Sequence, residues 1–275
     1  MFFPSFLLTP AQVAAQKRRD EEHFEEHMVP NAIPWDEDKF KYGRSVCILG
    51  ETFTPQALFR TKAITANREV LPGRSVKYSP GKRFAYVNKH LSRGCHLQLF
   101  QGQKQSGRVC FTTDITVPVL VKPKYAESFD DTKKYRVWMS YTPAEVLTCR
   151  QGIRRATGTV MVGGLGLGYM LRKIAEKKSV KRIIVVEISQ ELLDWYGTDM
   201  CKRYEEEYGK PIEVICGDAK DHVNQHGEDV RHVVDIWDSF PTSHWELNRN
   251  GWNDVIRNTR YFWGWGLIAD PADYR

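Results

Sequence analysis

The stretch TVMVGGLGLGYMLRKIAE, residues 159–176, has four glycines within six residues, between an apolar run and a run with helical periodicity. The apolar part predicts a buried strand and the part after the glycines predicts a helix. Glycines at a strand-to-helix turn let the chain turn tightly and bring backbone N–H groups close to a ligand. The stretch therefore predicts a ligand-binding turn at Gly164, Gly166 and Gly168.

The segments after this turn repeat the same alternation. They read VKRIIVVEIS, QELLDWYGTDMCKRYEEEYG, PIEVICGD, a further helix-like segment, and HVVDIWDSF. Short apolar runs that alternate with amphipathic segments are typical of a parallel sheet covered by helices. We expect an α/β fold with a Rossmann-like, doubly wound, mostly parallel sheet, and a ligand at the carboxyl ends of its strands.

Two common phosphate-binding motifs fit the glycine turn poorly. A dinucleotide-binding GxGxxG motif counted from Gly164 needs glycine at 169, where Tyr169 stands. A phosphate-binding P-loop ends in Gly-Lys-Ser or Gly-Lys-Thr, where this chain has Gly168, Tyr169 and Met170. The turn therefore indicates a different ligand.

Carboxylates end three successive predicted strands, at Glu187, Asp218 and Asp238. Glu187 follows the glycine turn at the distance from which a carboxylate can accept hydrogen bonds from both hydroxyls of a ribose. Each acid taken alone is more often a helix N-cap or a loop residue. As an ordered set behind a glycine turn, the three acids predict one cleft.

The motifs VMVGGLGLG, VVEIS, ICGDAKD and IWDSFP resemble the successive motifs of class I S-adenosylmethionine-dependent methyltransferases. They are particularly similar to the spermidine synthase branch of that superfamily, over about residues 139–241. The resemblance implies S-adenosylmethionine, or a close analogue, as the cofactor. It also implies a truncated methyltransferase fold preceded by a small β-rich N-terminal domain.

The resemblance assigns a role to each motif. The glycine turn would lie against the methionine part of the cofactor, the acid after the second strand would hold the ribose, and the residues after the second and third strands would meet the adenine. The implied cofactor-binding residues are Gly164, Leu165, Gly166, Gly168, Glu187, Ile188, Asp218, Ala219 and Asp238.

Asp238 would face the reactive end of the cofactor and is the predicted catalytic residue. It would accept a proton or orient the nucleophile, and the alternative is that it only anchors the cofactor or caps the next helix. His244 and Ser239 are weaker candidates.

Two departures from the spermidine synthase pattern bear on the reaction. That branch ends its fourth strand with D-[ST]-x-D, whose second Asp takes a proton from the amine, whereas this chain has Asp238-Ser239-Phe240-Pro241. The tyrosine expected in the helix before the glycine turn is also not evident around Glu145. Methyl transfer to an unidentified acceptor is therefore favoured. The alternatives are aminopropyl transfer from decarboxylated S-adenosylmethionine, and a non-catalytic nucleoside-binding or structural module.

The N-terminal half has a different pattern. Thr9 and Pro10 predict the start of a helix that continues to about Met28, and short apolar runs between about residues 44 and 120 predict strands. We expect residues 1–135 to form a helical arm and a β-rich basic domain, and residues 136–275 to form the S-adenosylmethionine-binding domain. Thr142 and Glu145 have the spacing of a capping box at the start of a helix.

The net charge of +6 comes from the N-terminal half, and the region Arg60–Arg108 has one acidic residue, Glu69, among many basic ones. Aromatic residues lie between the basic ones, so this region predicts a polyanionic partner, nucleic acid included. A solvated basic face is an equal alternative. The basic region slightly favours an anionic acceptor.

The cysteines are scattered without a CxxC pair, which indicates reduced thiols in a cytoplasmic protein. His90, Cys95 and His96 lie close in sequence but have no second ligand cluster, so we expect no metal ion. The N-terminal run MFFPSFLL is too short for a membrane span and lacks a basic leader. We expect no membrane contact.

Five of the eight tryptophans lie between Trp237 and Trp265. We expect them to serve a core or an interface more often than to stack on a planar substrate. At most one strand follows Asp238, which predicts a five-stranded sheet with an edge that needs covering. We therefore expect a homo-oligomer.

Overall fold

The computed structural model describes the secondary structure of most of the C-terminal half and of parts of the N-terminal half. The described residues are 9–23, 25–26, 33–34, 46–49, 69–71, 74–101, 104–131, 134–223, 225–236 and 251–264.

Most of the helices flank the strands of the C-terminal half, and a π-helical turn at Leu193–Gly197 joins two of them. They are α1 (Pro10–His23), α2 (Pro143–Arg155), α3 (Tyr169–Ala175), α4 (Gln190–Leu192), α5 (Thr198–Tyr208), α6 (Ala219–His222) and α7 (Trp252–Arg257).

The strands form three sheets. They are β1 (Ile33–Pro34), β2 (Val46–Leu49), β3 (Glu69–Leu71), β4 (Arg74–Tyr78), β5 (Ala85–Leu91), β6 (His96–Gln101), β7 (Lys104–Phe111), β8 (Ile115–Pro123), β9 (Tyr135–Ser140), β10 (Gly158–Gly163), β11 (Val180–Glu187), β12 (Ile212–Cys216), β13 (Arg231–Val234) and β14 (Phe262–Gly264).

The C-terminal sheet has the order β12-β11-β10-β13-β14, and every pair in it is parallel. This arrangement confirms the predicted α/β, Rossmann-like fold. Along the sequence, the central strand β10 is the first strand of this sheet. β11 and β12 follow on one side of it, and the chain then crosses to β13 on the other side. The strand order therefore reverses between β10 and β13, and a crevice at the carboxyl ends of such strands is where open α/β sheets bind ligands.

The fourth strand of this sheet is shorter than predicted. β13 ends at Val234, so that Asp235 is the first acid beyond its carboxyl end. The backbone N–H of Asp235 donates to the carbonyl oxygen of Gly163 at 2.7 Å, which holds it against the end of β10. Asp238, the predicted acid at this position, lies outside the described residues, as do Ser239 and His244.

The N-terminal half is rich in β-structure, as predicted. One five-stranded sheet has the order β3-β4-β5-β8-β9 with antiparallel pairs throughout, and a second sheet has the order β1-β2-β7-β6. β9 continues the antiparallel sheet across the expected boundary at residue 135. The division of the chain into two domains stays a prediction.

Two helix starts follow the sequence signals. Thr9 caps α1, since its Oγ1 accepts the N–H of Gln12. The α-helix is described to His23 and residues 25–26 are π-helical, while the predicted end at about Met28 lies outside the described residues. At α2, Oγ1 of Thr142 accepts the N–H of Glu145 at 3.3 Å. A side chain in this role satisfies an N–H that the first turn of a helix leaves without a partner.

Buried apolar residues cover both faces of the parallel sheet, and β11 has a continuous apolar run from Ile183 to Val186. Trp252 and Trp263 are buried, which confirms the core interpretation for these two tryptophans. Trp237, Trp245 and Trp265 lie outside the described residues. β12 and β14 are the outer strands of the described sheet, and the homo-oligomer expected from an uncovered edge stays a prediction.

Within the described ranges, no helix has both the length and the apolar character that crossing a membrane requires.

Replacing Ile184 with Ala should lower the free energy of unfolding by about 2–5 kcal/mol, because the side chain is 0% exposed and its removal leaves a cavity in the central sheet. Denaturant titration followed by circular dichroism measures the loss. Lys181→Ala on the same strand is the control, since Lys181 is exposed and should change stability by about 0.5 kcal/mol or less. A similar effect of the two substitutions would contradict the buried placement of β11.

Candidate functional site

A cavity of about 930 Å³ lies at the carboxyl ends of the parallel strands. The glycine turn and the residues after β11, β12 and β13 form one side of it, and residues 137–140 of β9 form another. Glu145 of α2 and the start of α7 also line it. Its volume is in the range of small-molecule and cofactor sites.

Most of the predicted cofactor-binding residues line this cavity. They are Gly164, Gly166, Glu187, Ile188, Asp218 and Ala219. Leu165 and Gly168 belong to the same turn but are not among the described lining residues, and Asp238 is outside the described part of the chain. The structure thus brings the described members of the predicted set to one edge of the sheet, and their role in cofactor binding stays a prediction.

The glycines of the turn are required by the protein itself. Gly164 has φ +87°, and a Cβ there would overlap the carbonyl oxygen of Asp235. At Gly166 a Cβ would overlap Sδ of Met139, a residue of β9. The same sulfur accepts the N–H of Leu167 at 3.0 Å. Close packing against β9 and the end of β13 therefore explains these two glycines without a ligand.

The side chain of Glu187 links the glycine turn to the end of β11 by hydrogen bonds. Its Oε2 accepts the N–H of Leu165 and its Oε1 accepts the N–H of Ser189, both at 2.9 Å. The residue is only 4% exposed, and burial raises the pKa of its carboxyl, while the backbone hydrogen bonds oppose that rise. Each carboxylate oxygen can accept more than one hydrogen bond, so both keep capacity for hydroxyls of a ligand in the cavity.

Ile188 and Asp218, which are predicted to lie next to the adenine, have different surroundings in the structure. Ile188 is 66% exposed, so an apolar side chain lies on the cavity wall with little protein around it. Asp218 caps α6, because its Oδ1 accepts the N–H of Lys220 at 2.9 Å. The helix-cap alternative considered for each acid therefore applies to Asp218.

The cavity is predominantly acidic. Four carboxyl side chains line it, and Lys220 is the one basic side chain among the described lining residues. The acids are Glu145, Glu187, Asp218 and Asp235. Carboxyl side chains favour cationic groups, which stabilise their ionised form, and disfavour phosphates.

Sequence reasoning missed a cluster formed by Glu145, Cys149 and Asp235. Sγ of Cys149 lies 3.9 Å from Oε1 of Glu145 and 3.8 Å from Oδ2 of Asp235. Burial raises the pKa of Asp235 to about 7. Burial, followed by the charge of Asp235, also raises the pKa values of Glu145 and Cys149.

The sequence held only part of the signal for this cluster. Glu145 and Cys149 are four residues apart and so lie on one face of α2, but Glu145 also fitted a capping box. Asp235 lies inside the run HVVDIW, which reads as one strand. Asp235 can reach this face of α2 because β13 ends at Val234, before the end of the apolar run.

The β9 wall of the cavity is anchored by a cation and two aromatic rings. Nζ of Lys122 lies 3.9 Å from the ring centroid of Trp138 and 5.0 Å from that of Phe84. The two rings meet edge to face, with centroids 6.4 Å apart. Such contacts hold the wall of the site in place from the antiparallel sheet.

No protein-family model and no curated protein matches the chain. Among solved structures it is similar to the spermidine synthase from Thermotoga maritima, with 12% identity and a TM-score of 0.30, over 66% of this chain and 59% of that one. It is also similar to a protein-L-isoaspartate O-methyltransferase, with 18% identity and a TM-score of 0.25, over 42% of this chain and 33% of that one.

A third similar structure is the Δ1-pyrroline-2-carboxylate reductase from Thermococcus litoralis in complex with NADH and L-proline. Its identity is 11% and its TM-score 0.28, over 73% of this chain and 59% of that one. All three of these proteins are enzymes, and this chain spans less than two thirds of the length of each. Similarity at this level does not decide between their activities.

Gly164→Ala should destabilise the protein more than Gly158→Ala. Both glycines have positive φ, which costs an alanine about 1–2 kcal/mol, but a Cβ at Gly158 meets nothing within 4 Å. At Gly164 the overlap with the backbone of Asp235 adds about 1–3 kcal/mol. Chemical unfolding of the two variants measures the difference, and equal losses would contradict the close contact between the glycine turn and the end of β13.

Proposed function

We propose that this chain binds S-adenosylmethionine, or a close analogue, and transfers its methyl group to an acceptor. The observation that carries the proposal is the placement of Glu187, which is bound to the glycine turn and lines a cavity whose charged residues are mostly acidic. The motif resemblance described above points to the same cofactor.

The residues present fit the parts of this cofactor. Glu187 has acceptor capacity for the ribose hydroxyls, as its position at the end of the second strand predicts. Ile188 offers an apolar surface for the adenine, and Asp218 also lines the cavity. Gly164 and Gly166 line the cavity beside the turn, where the resemblance places the methionine part.

Charge favours this cofactor over a dinucleotide. S-adenosylmethionine has a sulfonium, an ammonium and a carboxylate, so its net charge is positive and suits a cavity with four carboxyl side chains. The pyrophosphate of NAD would be repelled by the same groups, and Lys220 is the one described basic side chain that can offset them. The poor match to GxGxxG supports the same preference.

The bound cofactor would supply a methyl group already activated on a sulfonium. The protein then has to place the acceptor in line and, for some acceptors, remove a proton. Asp238 is the predicted residue for that proton. Asp235, which follows β13 and lines the cavity, is an additional candidate that the structure brings forward.

Aminopropyl transfer from the decarboxylated cofactor is the second candidate, and the acidic cavity wall favours it. An amine acceptor needs acidic side chains near the reactive end, and Glu145 and Asp235 provide two. A non-catalytic module is the third candidate, since packing alone explains the glycines of the turn. The three candidate functions can be distinguished by which ligand the protein prefers to bind.

Glu187→Gln should weaken S-adenosylmethionine binding at least tenfold, because hydrogen bonds to a charged acceptor contribute about 1.5–3 kcal/mol. Calorimetric titration of wild type and variant measures the change. Wild type should prefer S-adenosylmethionine over decarboxylated S-adenosylmethionine, 5′-methylthioadenosine and NAD. Preference for the decarboxylated form would instead support aminopropyl transfer, and binding of none would support the non-catalytic module.

Two controls separate ribose recognition from damage to the turn. Glu213→Gln alters an exposed acid on the neighbouring strand β12 and should leave affinity unchanged. Adenine, which has no ribose, should bind wild type and Glu187→Gln equally. A folded Glu187→Gln variant with unchanged cofactor affinity would remove the ribose role from this residue.

The basic region Arg60–Arg108 remains the proposed site for an anionic acceptor or a nucleic acid. In its described part, Nζ of Lys82 pairs with Asp130 at 2.7 Å, and Nε of Arg83 lies 3.9 Å from Oε2 of Glu191. The Lys82–Asp130 pair is exposed on both sides, and such a pair contributes little energy, so it competes only weakly with phosphates.

Charge reversal at Lys82 and Arg83 should abolish salt-sensitive binding of a single-stranded oligonucleotide, because each lost phosphate contact reduces the salt dependence. Fluorescence anisotropy at several salt concentrations measures it. Lys178→Glu with Lys202→Glu, two exposed lysines of the C-terminal half, is the control and should keep binding. Absent or salt-independent binding by wild type would exclude this partner.

A further inference from the structure

We propose that Glu145, Cys149 and Asp235 bind a divalent transition-metal ion, of which zinc is the best match, at the wall of the cavity. The donor atoms of these three side chains all lie within 4.8 Å of one another. Glu145 and Asp235 also line the cavity, so a bound ion would face it.

The distances suit one ion held by three protein ligands. A zinc ion binds sulfur at about 2.3 Å and carboxylate oxygen at about 2.0–2.2 Å in tetrahedral geometry, which places sulfur and oxygen about 3.5 Å apart. The observed separations are 3.9 Å from Sγ of Cys149 to Glu145 and 3.8 Å to Asp235. Shifts of a few tenths of an ångström would bring these two sulfur–oxygen separations to that value, and the two carboxyl oxygens already lie within 4.8 Å of each other.

The thiol distinguishes this cluster from a plain group of acids. Cys149 is 0% exposed, and within the part of the chain that the structure describes both of its hydrogen-bond partners are the two carboxyls. A thiol has one proton and cannot donate to both at once. A thiol adds nothing to the binding of an ammonium group, whereas a thiolate is a strong ligand of zinc.

The ligand set also indicates the kind of ion and site. Magnesium and calcium prefer oxygen ligands throughout, whereas a thiolate selects softer ions such as zinc. Three protein ligands leave a fourth position open, and here it would face the cavity, which is the pattern of zinc sites that bind a substrate or water.

The ligands lie on elements that fix their positions. Glu145 and Cys149 are one turn apart on α2, whose first turn is capped by Thr142. Asp235 is held by the hydrogen bond from its N–H to Gly163 and by close packing of its carbonyl against Gly164. A site on rigid elements keeps its geometry when the ligand is absent.

Titration of the full-length protein with Co²⁺, a spectroscopic substitute for zinc, tests the proposal. We expect uptake of about one ion per chain and a near-ultraviolet thiolate-to-cobalt charge-transfer band, both reversed by added Zn²⁺. Cys149→Ser should remove the band and weaken Co²⁺ binding at least tenfold. Cys216→Ser, which removes an exposed thiol at the end of β12, is the matched control and should keep both.

Asp235→Asn provides a second test that keeps the thiol. It should weaken Co²⁺ binding at least tenfold, while circular dichroism shows the wild-type fold. No band in folded wild type, or a band that persists in Cys149→Ser, would overturn the proposal. Spermidine that competes with Co²⁺, together with no band, would assign the acids to an amine instead. Because the readout needs no S-adenosylmethionine, its outcome is independent of the proposed transfer reaction.

Discussion

The hydrogen bond from the N–H of Leu165 to the carboxylate of Glu187 holds together the edge of the parallel sheet that faces the cavity. It joins the turn after the central strand to the end of its neighbour, so two strand ends share one acceptor group. A buried carboxylate is costly unless it is hydrogen-bonded, and here two backbone N–H groups supply that compensation. The same carboxylate lines the cavity, so a ligand bound through Glu187, as we propose, would depend on the integrity of the turn.

The cavity depends on both halves of the chain. The parallel sheet contributes the glycine turn and the strand-end acids, and the antiparallel sheet contributes the wall formed by β9. Met139 is one point of contact, because its sulfur packs on Gly166 and accepts the N–H of Leu167. Loss of the β-rich region would therefore open one side of the site and leave the turn without its cover.

Much of the fold followed from local sequence. The alternation of apolar runs and amphipathic segments was sufficient for the parallel sheet, and the glycine turn and Glu187 followed from their positions relative to its first two strands. The β9 wall could not be predicted, since it depends on how the two sheets pack. The role of Asp235 could not be predicted, because an apolar run does not show where the pairing of a strand with its neighbour stops. β13 pairs with β10 only as far as Val234.

Ile188 gives the free protein an unusual surface: a branched aliphatic side chain, 66% exposed, at the rim of an acidic cavity. If a flat ring covers this side chain, as the proposed function requires, the water in contact with it is released. Association of the ring should then produce a negative change in heat capacity, even though charges dominate the rest of the cavity. The site therefore combines two kinds of driving force whose temperature dependence differs, and warming should shift the balance of enthalpy and entropy in binding more than it shifts the affinity itself.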